Sequence, residues 1–267
     1  MEKISIAAVQ MVSEPEVAAN LAVAGELIAR AAGEGARLVA LPEYFCILGM
    51  REGDKVAVRE ADGSGPIQDF LAAAAARHKI WLAGGSVPLV CADPGKVRNT
   101  CLVFDDAGRR VARYDKIHLF GFELGEERFQ ESRTIEPGSA VVTVDAPFAK
   151  LGISICYDLR FPEMYRKMGE VDIILVPSSF TATTGRAHWE LLLRARAVEN
   201  QAYVLAPAQG GLHKNKRETH GHSMIIDPWG TVLAELAGGP GVISAEADPV
   251  KLAQVRRSLP ALIHRVL

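Results

Sequence analysis

Short runs of β-branched and apolar residues alternate with longer amphipathic segments along most of the chain. ISIAAVQM precedes a helical pattern over about 16 to 33, and RLVALP and a helical pattern over about 66 to 78 lead to IWLAGGSV. Strands that alternate with helices in this way form a sheet with helices packed on its faces. The alternation therefore predicts an α/β fold.

A strand-rich stretch interrupts this alternation in the middle of the chain. NTCLVFDD turns at Gly108 into RRVARYDKIHL, and AVVTVD and LGISIC follow a long irregular loop from Phe120 to Ser139. Some strand patterns are continuously apolar, as in strands buried on both faces, whereas others alternate. Two mixed β-sheets packed together, with helices outside, satisfy both observations. We expect about twelve strands and about five helices, the later helices lying near 162 to 169, 187 to 200 and 249 to 258.

Chain length and charge limit the possible partners. A length of 267 residues suffices for one large domain, 1–267, with a sizeable core. Thirty Lys and Arg residues against 32 Asp and Glu give no basic field to hold nucleic acid or anionic lipid. The N-terminal segment MEKISIAAVQ lacks a signal-peptide pattern, and no apolar run approaches the length of a membrane span. We therefore expect a cytoplasmic protein that binds neither nucleic acid nor membrane.

Cys156 lies where the strand-like run LGISI gives way to the polar segment YDLRFPEMYR. Pro162 and Glu163 suit the first turn of a helix, so the thiol occupies a strand-to-helix turn. Unpaired N–H groups and the positive end of the helix dipole favour a thiolate there, which makes Cys156 a candidate nucleophile. Cysteine is also often simply buried, and this interpretation suits the others, which lie in or beside apolar stretches. They are Cys46, Cys91 and Cys101.

Two charged residues occupy comparable positions in other strand patterns. Glu43 follows RLVALP, so its carboxylate emerges at the C-terminal end of a buried strand, where open α/β sheets place their chemistry. Lys116, in RYDKIHLF, is a cation within an alternating pattern and faces either solvent or a pocket. Each residue alone is more often a solvated surface group, but with Cys156 they form a set suited to nucleophilic catalysis.

Three segments, LVALPEYF, YDKIHLF and GISICYDLRFPE, resemble in this order the motifs of the nitrilase superfamily of carbon-nitrogen hydrolases. Glu43 precedes Lys116 by 73 residues, and Lys116 precedes Cys156 by 40 residues. Further similar blocks, FQESRTIEPG, SSFTATTGRAHWELLLRARAVENQAYVLAPAQ and GHSMIIDPWG, extend the resemblance to about residue 245. The resemblance implies a four-layer α-β-β-α sandwich with two mixed β-sheets, a homodimer and no cofactor.

The catalytic residues of that family fall on Glu43, Lys116 and Cys156. By resemblance, Cys156 attacks an amide carbonyl and forms a thioester, while Glu43 moves the protons. Lys116, together with a backbone N–H near Tyr157, stabilises the oxyanion. Lys116 lowers the pKa of the Cys156 thiol and Glu43 raises it, and the sequence leaves open which effect prevails.

A second glutamate is common in the family just upstream of a Pro-Gly pair in the loop. Glu131 in FQESRTIEPG matches that place better than Glu126 or Glu127. The resemblance implies that Glu131 orients Lys116 and the substrate amide. The alternative is an exposed acid in an irregular loop.

The downstream blocks are most similar to the deaminated glutathione amidase branch of the family, with the omega-amidase branch close behind. The resemblance implies substrates with an α-keto glutaramyl unit, whose amide nitrogen carries either Cys-Gly or only hydrogens. Such a unit needs a cation for its carboxylate, and Arg160 is the first candidate, with a bracing role at the turn as the alternative. The candidate wall residues of the pocket are Tyr44, Tyr157, Phe180, Thr183 and Thr184.

The segment GLHKNKRETHGH carries His213, His220 and His222 among basic residues. No carboxylate or thiol completes a recognisable ligand spacing, so we expect no metal site here. A basic run flanked by glycines between strands is typical of a solvated loop. At most, its positive potential meets the far carboxylate of a longer substrate.

Three classes of function remain open. The first is a cysteine amidohydrolase for a small-molecule amide, within which nitrile and N-carbamoyl hydrolysis begin with the same thiol chemistry. The second is a redox protein in which the Cys156 thiol reacts with oxidants, although no resolving cysteine is nearby in the sequence. The third is an inactive interaction module on the same fold, and the intact set of Glu, Lys and Cys argues against it.

Overall fold

The computed structural model describes residues 1–125 and 127–266. Six α-helices lie within these residues. They are α1 (Val17–Gly33), α2 (Asp54–Ala57), α3 (Pro66–His78), α4 (Pro162–Lys167), α5 (Ala182–Asn200) and α6 (Pro249–Ser258). In this part of the chain, no helix has the length and apolar character needed to cross a membrane.

Two large sheets and two small hairpins contain the strands of the described residues. The strands are β1 (Ile4–Gln10), β2 (Leu38–Ala40), β3 (Trp81–Ala83), β4 (Val87–Val90), β5 (Val97–Phe104), β6 (Arg110–Asp115), β7 (Gly121–Leu124), β8 (Glu127–Gln130), β9 (Val142–Asp145), β10 (Lys150–Ile153), β11 (Ile173–Leu175), β12 (Tyr203–Ala206), β13 (Gly210–Leu212), β14 (Glu218–His220), β15 (Ser223–Ile226), β16 (Val232–Leu236) and β17 (Gly241–Ala247).

Both large sheets are mixed. The first has the order β17-β1-β2-β3-β5-β4, with β6 also paired to β5. Its strands β1, β2 and β3 run parallel, whereas β17 and β5 run antiparallel to their neighbours. The second has the order β16-β15-β12-β11-β10-β9, in which β10, β11 and β12 are parallel and the outer strands antiparallel. The prediction of two mixed sheets is confirmed.

Alternate residues of β1 face two different hydrophobic cores. Ile6 and Ala8 pack into a core that includes Ile153 of the second sheet. Ala7 and Val9 pack on the opposite face, in a core that includes α1 and α3. On the outside of the second sheet lies α5, whose apolar residues join the first core. The layers therefore follow the order helix, sheet, sheet, helix, as expected for a four-layer α-β-β-α sandwich.

The helix boundaries agree with the sequence patterns where a proline starts the helix. Pro66 and Pro249 open α3 and α6 at the predicted residues, since a proline suits the first turn, where its missing N–H is not needed. The prediction for α5 begins five residues too late, at 187 instead of Ala182. Its first turn lacks apolar periodicity and is fixed instead by Thr181, whose side chain accepts a hydrogen bond from the Thr184 N–H at 3.2 Å.

Two segments expected to be loops contain hairpins, so both predictions are wrong in part. Between Phe120 and Ser139, β7 pairs with β8 and a 3-10 turn spans Glu131–Arg133. The histidine-rich segment forms the β13–β14 hairpin, and its His213 is buried between the Ser13 carbonyl and the Thr219 hydroxyl. These strands are only three or four residues long, so an alternating pattern is too short to identify them.

Candidate active site

Three candidate residues meet where strands of the two sheets end. Glu43 follows β2 by three residues, Lys116 follows β6 directly, and Cys156 follows β10 by three residues. Lys116 Nζ donates a hydrogen bond to Glu43 Oε1 at 2.9 Å. Besides burial, the charges of Glu43 and Lys116 act on the pKa of the Cys156 thiol, so both groups lie near the sulfur. The fold therefore brings Glu43, Lys116 and Cys156 into one site.

Glu131 joins this site and completes the surroundings of Lys116. Its Oε2 accepts hydrogen bonds from Lys116 Nζ and from the Phe120 N–H, both at 2.7 Å. Its Oε1 accepts one from the Tyr44 hydroxyl at 2.7 Å. Glu131 is only 8% exposed, so the interpretation as a loop acid in solvent does not describe it. Of the two alternatives, Glu127 lies in β8 and bonds Thr183, while Glu126 lies outside the described residues.

The Lys116 ammonium is buried between two carboxylates. Its side chain has no solvent exposure, and Glu43 is 1% exposed. Burial by itself lowers the pKa of Lys116, but the charges of Glu131 and Glu43 outweigh that effect and raise the pKa above its ordinary value. Lys116 is therefore a fixed positive charge at neutral pH, held in one position by both carboxylates.

The backbone at Cys156 adopts a left-handed conformation with φ of 50°. A non-glycine residue in this region is strained, and such residues cluster at functional sites. The Cys156 N–H donates to the Pro177 carbonyl at 3.0 Å, which ties the turn to the end of β11. Tyr44, directly after Glu43, is likewise left-handed with φ of 57°, and its N–H donates to Ser86 Oγ. Sharp turns thus follow two of the strands that carry the site.

Burial prevails in setting the pKa of the Cys156 thiol. The thiol is 6% exposed, and desolvation together with the Glu43 charge raises its pKa well above the ordinary value, although Lys116 acts in the opposite direction. The single 3-10 turn Cys156–Arg160 does not offset this, contrary to the expectation that a helix start favours the thiolate. Burial, followed by the charge of Glu131, also raises the pKa of Glu43 against the opposing effect of Lys116. At neutral pH the thiol therefore keeps its proton, and the Glu43 carboxyl group lies beside it.

A small cavity opens directly onto the thiol. It has a volume of about 10 Å³ and is lined by Phe120, Cys156, Tyr157, Arg160, Ser179, Phe180, Thr181 and Thr184. Four of the predicted pocket residues thus lie around the nucleophile candidate. Within the described part of the chain, the Tyr157 N–H has no hydrogen-bond acceptor, so it remains available at the start of the turn.

Arg160 lies over two aromatic rings of this cavity. Its guanidinium carbon is 5.4 Å from the centroid of Phe180 and 5.8 Å from that of Tyr157. Its Nη1 lies 3.2 Å from His188 Nδ1. Bracing of the turn belongs instead to Arg196, whose Nε donates to the Leu159 carbonyl at 3.0 Å. Arg160 therefore lines the cavity and contacts α5 through His188.

The two remaining pocket candidates face other surroundings. Thr183 lies on a neighbouring groove and donates a hydrogen bond to Glu127 Oε1 at 2.7 Å, so the structure does not bring it to the wall beside Cys156. Tyr44 is turned toward Glu131 and a separate shallow cavity.

Two buried amides that hold Glu43 were not found from the sequence. Asn99 Nδ2 donates to Glu43 Oε1 at 2.9 Å, and Gln209 Nε2 donates to the Glu43 carbonyl at 3.0 Å. Both are almost fully buried. Asn99 interrupts the apolar strand β5, and Gln209 follows β12. A polar residue at or near the end of a buried strand was the feature of the sequence that could have identified them as site residues.

Asp158 also escaped the sequence analysis, although it lies two residues after Cys156. Its buried carboxylate accepts hydrogen bonds from the Ile155 N–H, the His118 N–H and the Tyr114 hydroxyl, at 2.9, 3.0 and 2.6 Å. Tyr114 and His118 flank Lys116 in the chain. Asp158 therefore joins the turn that carries the thiol to the segment that carries the ammonium.

The remaining cysteines and the histidines of the segment GLHKNKRETHGH do not line the cavity at Cys156. Cys46 and Cys101 are fully buried, as expected, whereas Cys91 is half-buried because it follows the edge strand β4. Over residues 1–125 and 127–266, no three residues among His, Cys, Asp and Glu are grouped to hold a metal ion.

Sequence comparison places the chain in a family. The sequence model of the family described as "Carbon-nitrogen hydrolase" matches residues 5–257. The deaminated glutathione amidase of Synechocystis sp. is 44% identical over 266 residues, covering 97% of each chain. The omega-amidase of Xenopus tropicalis is 40% identical over 265 residues, covering 97% of this chain and 94% of the other.

Structural comparison agrees with the sequences. The crystal structure of Nit3 from Saccharomyces cerevisiae, a member of the nitrilase superfamily, matches with a TM-score of 0.86 and 34% identity, covering 97% of this chain and 95% of the other. The chain belongs to the carbon-nitrogen hydrolase family of the nitrilase superfamily, and it is an amidase of that family. The resemblance inferred from the three motifs is thereby confirmed.

Proposed function

We propose that the chain hydrolyses a small aliphatic amide through a thioester on Cys156, and that its substrate is deaminated glutathione. The observation that carries the chemistry is the burial of a thiol, a carboxylate and an ammonium at one point beside a cavity. The choice of substrate is supported by the 44% identity to the Synechocystis deaminated glutathione amidase over 97% of both chains.

The first half of the reaction forms the acyl-enzyme. Glu43 takes the thiol proton as the Cys156 sulfur bonds to the amide carbon, so the carbonyl π electrons move to oxygen. Lys116 Nζ and the Tyr157 N–H stabilise that oxyanion. When it collapses, the carbon-nitrogen bond breaks and Glu43 gives its proton to the leaving nitrogen. The free amine departs and the thioester remains on Cys156.

The second half restores the thiol. Glu43, again a carboxylate, takes a proton from a water molecule that attacks the thioester carbon. The second oxyanion uses the same two donors, and its collapse breaks the carbon-sulfur bond. Glu43 returns the proton to the sulfur, and the acid product leaves. The pKa of Glu43, raised by burial, suits a group that takes and gives a proton in each half of the reaction.

Glu131 and Arg160 act around these steps in the proposal. Glu131 accepts a hydrogen bond from Lys116 Nζ and so holds the ammonium in place. It also accepts a hydrogen bond from the Tyr44 hydroxyl, which fixes the position of the Glu131 carboxylate. Arg160 binds the keto-acid carboxylate of the substrate, because its guanidinium lies in the cavity wall over Phe180 and Tyr157. Thr184 and Phe180 contribute the remaining wall.

The alternative substrate is α-ketoglutaramate, which the similarity to an omega-amidase supports. A side-by-side comparison of kcat/KM for deaminated glutathione, α-ketoglutaramate, an N-carbamoyl amino acid and a simple nitrile separates these activities. We expect deaminated glutathione to be turned over fastest, and the Cys156→Ala variant to turn over none. If α-ketoglutaramate is hydrolysed at least as fast, the assignment changes to omega-amidase.

We further propose that the chain acts as one domain, 1–267, in a cytoplasmic homodimer. The apolar side chains of Leu191, Val198 and Trp229 are 68%, 45% and 57% exposed around α5. Exposed apolar surface of this kind is typical of an interaction site. Light scattering on the purified protein measures the mass of the assembly, and a monomer at micromolar concentration would contradict the proposal.

A further inference from the structure

Arg217 lies beside the segment that forms one wall of the active-site cavity. Its Nη2 donates to the Ser179 carbonyl at 3.0 Å, and Ser179 lines the cavity with Cys156. Its guanidinium carbon lies 5.0 Å from the centroid of Phe129. These two contacts fix the plane of the guanidinium next to the cavity.

Part of the hydrogen-bonding capacity of Arg217 is unused. Its Nε is buried and has no hydrogen-bond partner among the described residues. An unpartnered buried donor is costly, and such groups in folded proteins call for an explanation. Arg186 of the same groove differs, because its Nη2 lies 3.9 Å from Glu218. Arg217 is therefore a fixed cation with no carboxylate partner among the described residues.

A groove next to the cavity gives this cation access to a ligand. The groove has a volume of about 480 Å³, and its lining includes Phe129, Thr181 and Arg217. Thr181 also lines the cavity of about 10 Å³ at Cys156, so the two spaces adjoin there. Pockets for drug-sized ligands begin at roughly 300 Å³. The cavity admits only the reacting group beside the thiol, so the rest of a substrate with a large leaving group extends into the groove.

The chemistry of the leaving group follows from these positions. Arg160 lines the cavity beside the thiol that would carry the acyl unit as a thioester. Arg217 lines the groove, which adjoins the cavity at Thr181. A guanidinium matches a carboxylate, which it binds through two parallel hydrogen bonds. A substrate with one carboxylate on the acyl side and another on the amine side fits both cations.

We propose that Arg217 binds the terminal carboxylate of a peptide-like leaving amine and so selects such amides over primary amides. This inference rests on the proposed function and extends it to the leaving-group side of the same site. A primary amide such as α-ketoglutaramate releases only ammonia, which has no carboxylate for Arg217. The residue therefore separates the two candidate substrates.

The test compares two variants on three substrates. Arg217→Gln removes the charge but keeps a polar side chain, and Lys216→Gln is the matched control, since Lys216 lines the same groove from the adjacent position. The substrates are deaminated glutathione, the same compound with its glycine carboxylate converted to a carboxamide, and α-ketoglutaramate. Steady-state kcat/KM is measured for the wild-type protein and each variant on each of the three substrates.

We expect Arg217→Gln to lower the ratio of kcat/KM for deaminated glutathione over α-ketoglutaramate roughly 10- to 100-fold, as for a lost hydrogen bond to a charged group. The wild-type protein should lose a similar factor on the carboxamide, and Arg217→Gln should no longer distinguish acid from carboxamide. Lys216→Gln should change the ratio less than about threefold, because an exposed charge contributes little.

Two results would overturn the inference while leaving the proposed function intact. If Arg217→Gln lowers kcat/KM equally for deaminated glutathione and α-ketoglutaramate, Arg217 acts only by holding Ser179. If Lys216→Gln changes the ratio as much as Arg217→Gln, the effect comes from the positive electrostatic potential of the groove and not from a specific contact with Arg217. Failure of the proposed function looks different, because the wild-type protein would then show no Cys156-dependent turnover of deaminated glutathione.

Discussion

Cys156 and Cys101 are both buried cysteines, but their surroundings differ in what lies next to the sulfur. Cys101 lies within β5 with no solvent exposure, and burial alone raises its pKa to about 12. Burial also dominates at Cys156, yet there Glu43, Lys116 and Glu131 act on the pKa as well. Cys156 further follows its strand in a strained turn and lines a cavity.

This difference shows that a low thiol pKa is not what distinguishes the reactive cysteine. Both thiols keep their protons at neutral pH. Of these two thiols, Cys156 is the one with a carboxylate and an ammonium beside it and with a cavity next to the sulfur. In the proposed reaction, Glu43 therefore activates Cys156 during the attack, since the resting thiol is protonated.

Replacing the two sulfurs one at a time should give the largest contrast. Cys156→Ala should lower kcat for amide hydrolysis by roughly 10⁴-fold or more, because no other group can form the thioester. Cys101→Ala should lower the free energy of unfolding by about 1 to 2 kcal/mol, because it leaves a small cavity in the core. Steady-state kinetics and urea unfolding measure the two effects. A loss of activity in Cys101→Ala comparable with that of Cys156→Ala would break the comparison.

Removing the base should make Cys156 behave more like Cys101. Glu43→Gln keeps the size of the side chain and should lower kcat by roughly 10² to 10⁴, as for a lost general base. Glu60→Gln is a matched control, since Glu60 is also buried but holds the start of α3 by accepting the Ile67 and Gln68 N–H groups. The control should lower stability by about 1 to 3 kcal/mol and leave the chemistry in place. Equal kcat in both variants would exclude Glu43 as the base.

Removing the cation tests the second difference between the two thiols. Lys116→Met should lower kcat by roughly 10²- to 10³-fold, as for one lost oxyanion donor. It also leaves Glu43 and Glu131 buried without their partner, which should cost about 3 to 5 kcal/mol of stability. Adding Glu131→Gln to Lys116→Met should restore part of that stability, because one uncompensated charge is removed. A double variant no more stable than Lys116→Met would contradict the arrangement of charges.

The smallest expected effect is a shift in the pH dependence. Glu43 must be ionised to accept the thiol proton, so kcat/KM should fall as the pH drops through its raised pKa. The Glu131 charge is one of the causes that raise this pKa. In Glu131→Gln that repulsion is absent, so the pKa of Glu43 should fall and the acid limb should move to lower pH. If the acid limb of the pH profile stays in place or moves to higher pH, a group other than Glu43 causes that limb.

The sequence predicts the frame of the molecule better than the contacts of the site. Periodic apolar residues and prolines locate α1, α3 and α6, and the three motifs locate Glu43, Lys116 and Cys156. These features are local, because each depends on residues close together in the chain. The strands of the hairpins β7–β8 and β13–β14 are only three or four residues long, which leaves too short a pattern to detect.

The supporting residues of the site could not be predicted because their partners are distant in the chain. Asn99 meets Glu43 across 56 residues, and Gln209 meets the same residue across 166. Asp158 bonds the Tyr114 hydroxyl across 44 residues. The sequence alone could not decide whether Glu43 or Lys116 has the larger effect on the pKa of the Cys156 thiol. Burial by the folded chain, which depends on distant residues, raises that pKa and favours the protonated thiol.

The most direct test of the central claim is mass spectrometry of the enzyme quenched in acid during turnover of deaminated glutathione. We predict an added mass equal to the keto-acyl unit on the peptide that contains Cys156, absent from Cys156→Ala and absent from the peptide that contains Cys101. A Cys156→Ala protein that still turns over the amide, or an acyl group found on another residue, would contradict the account.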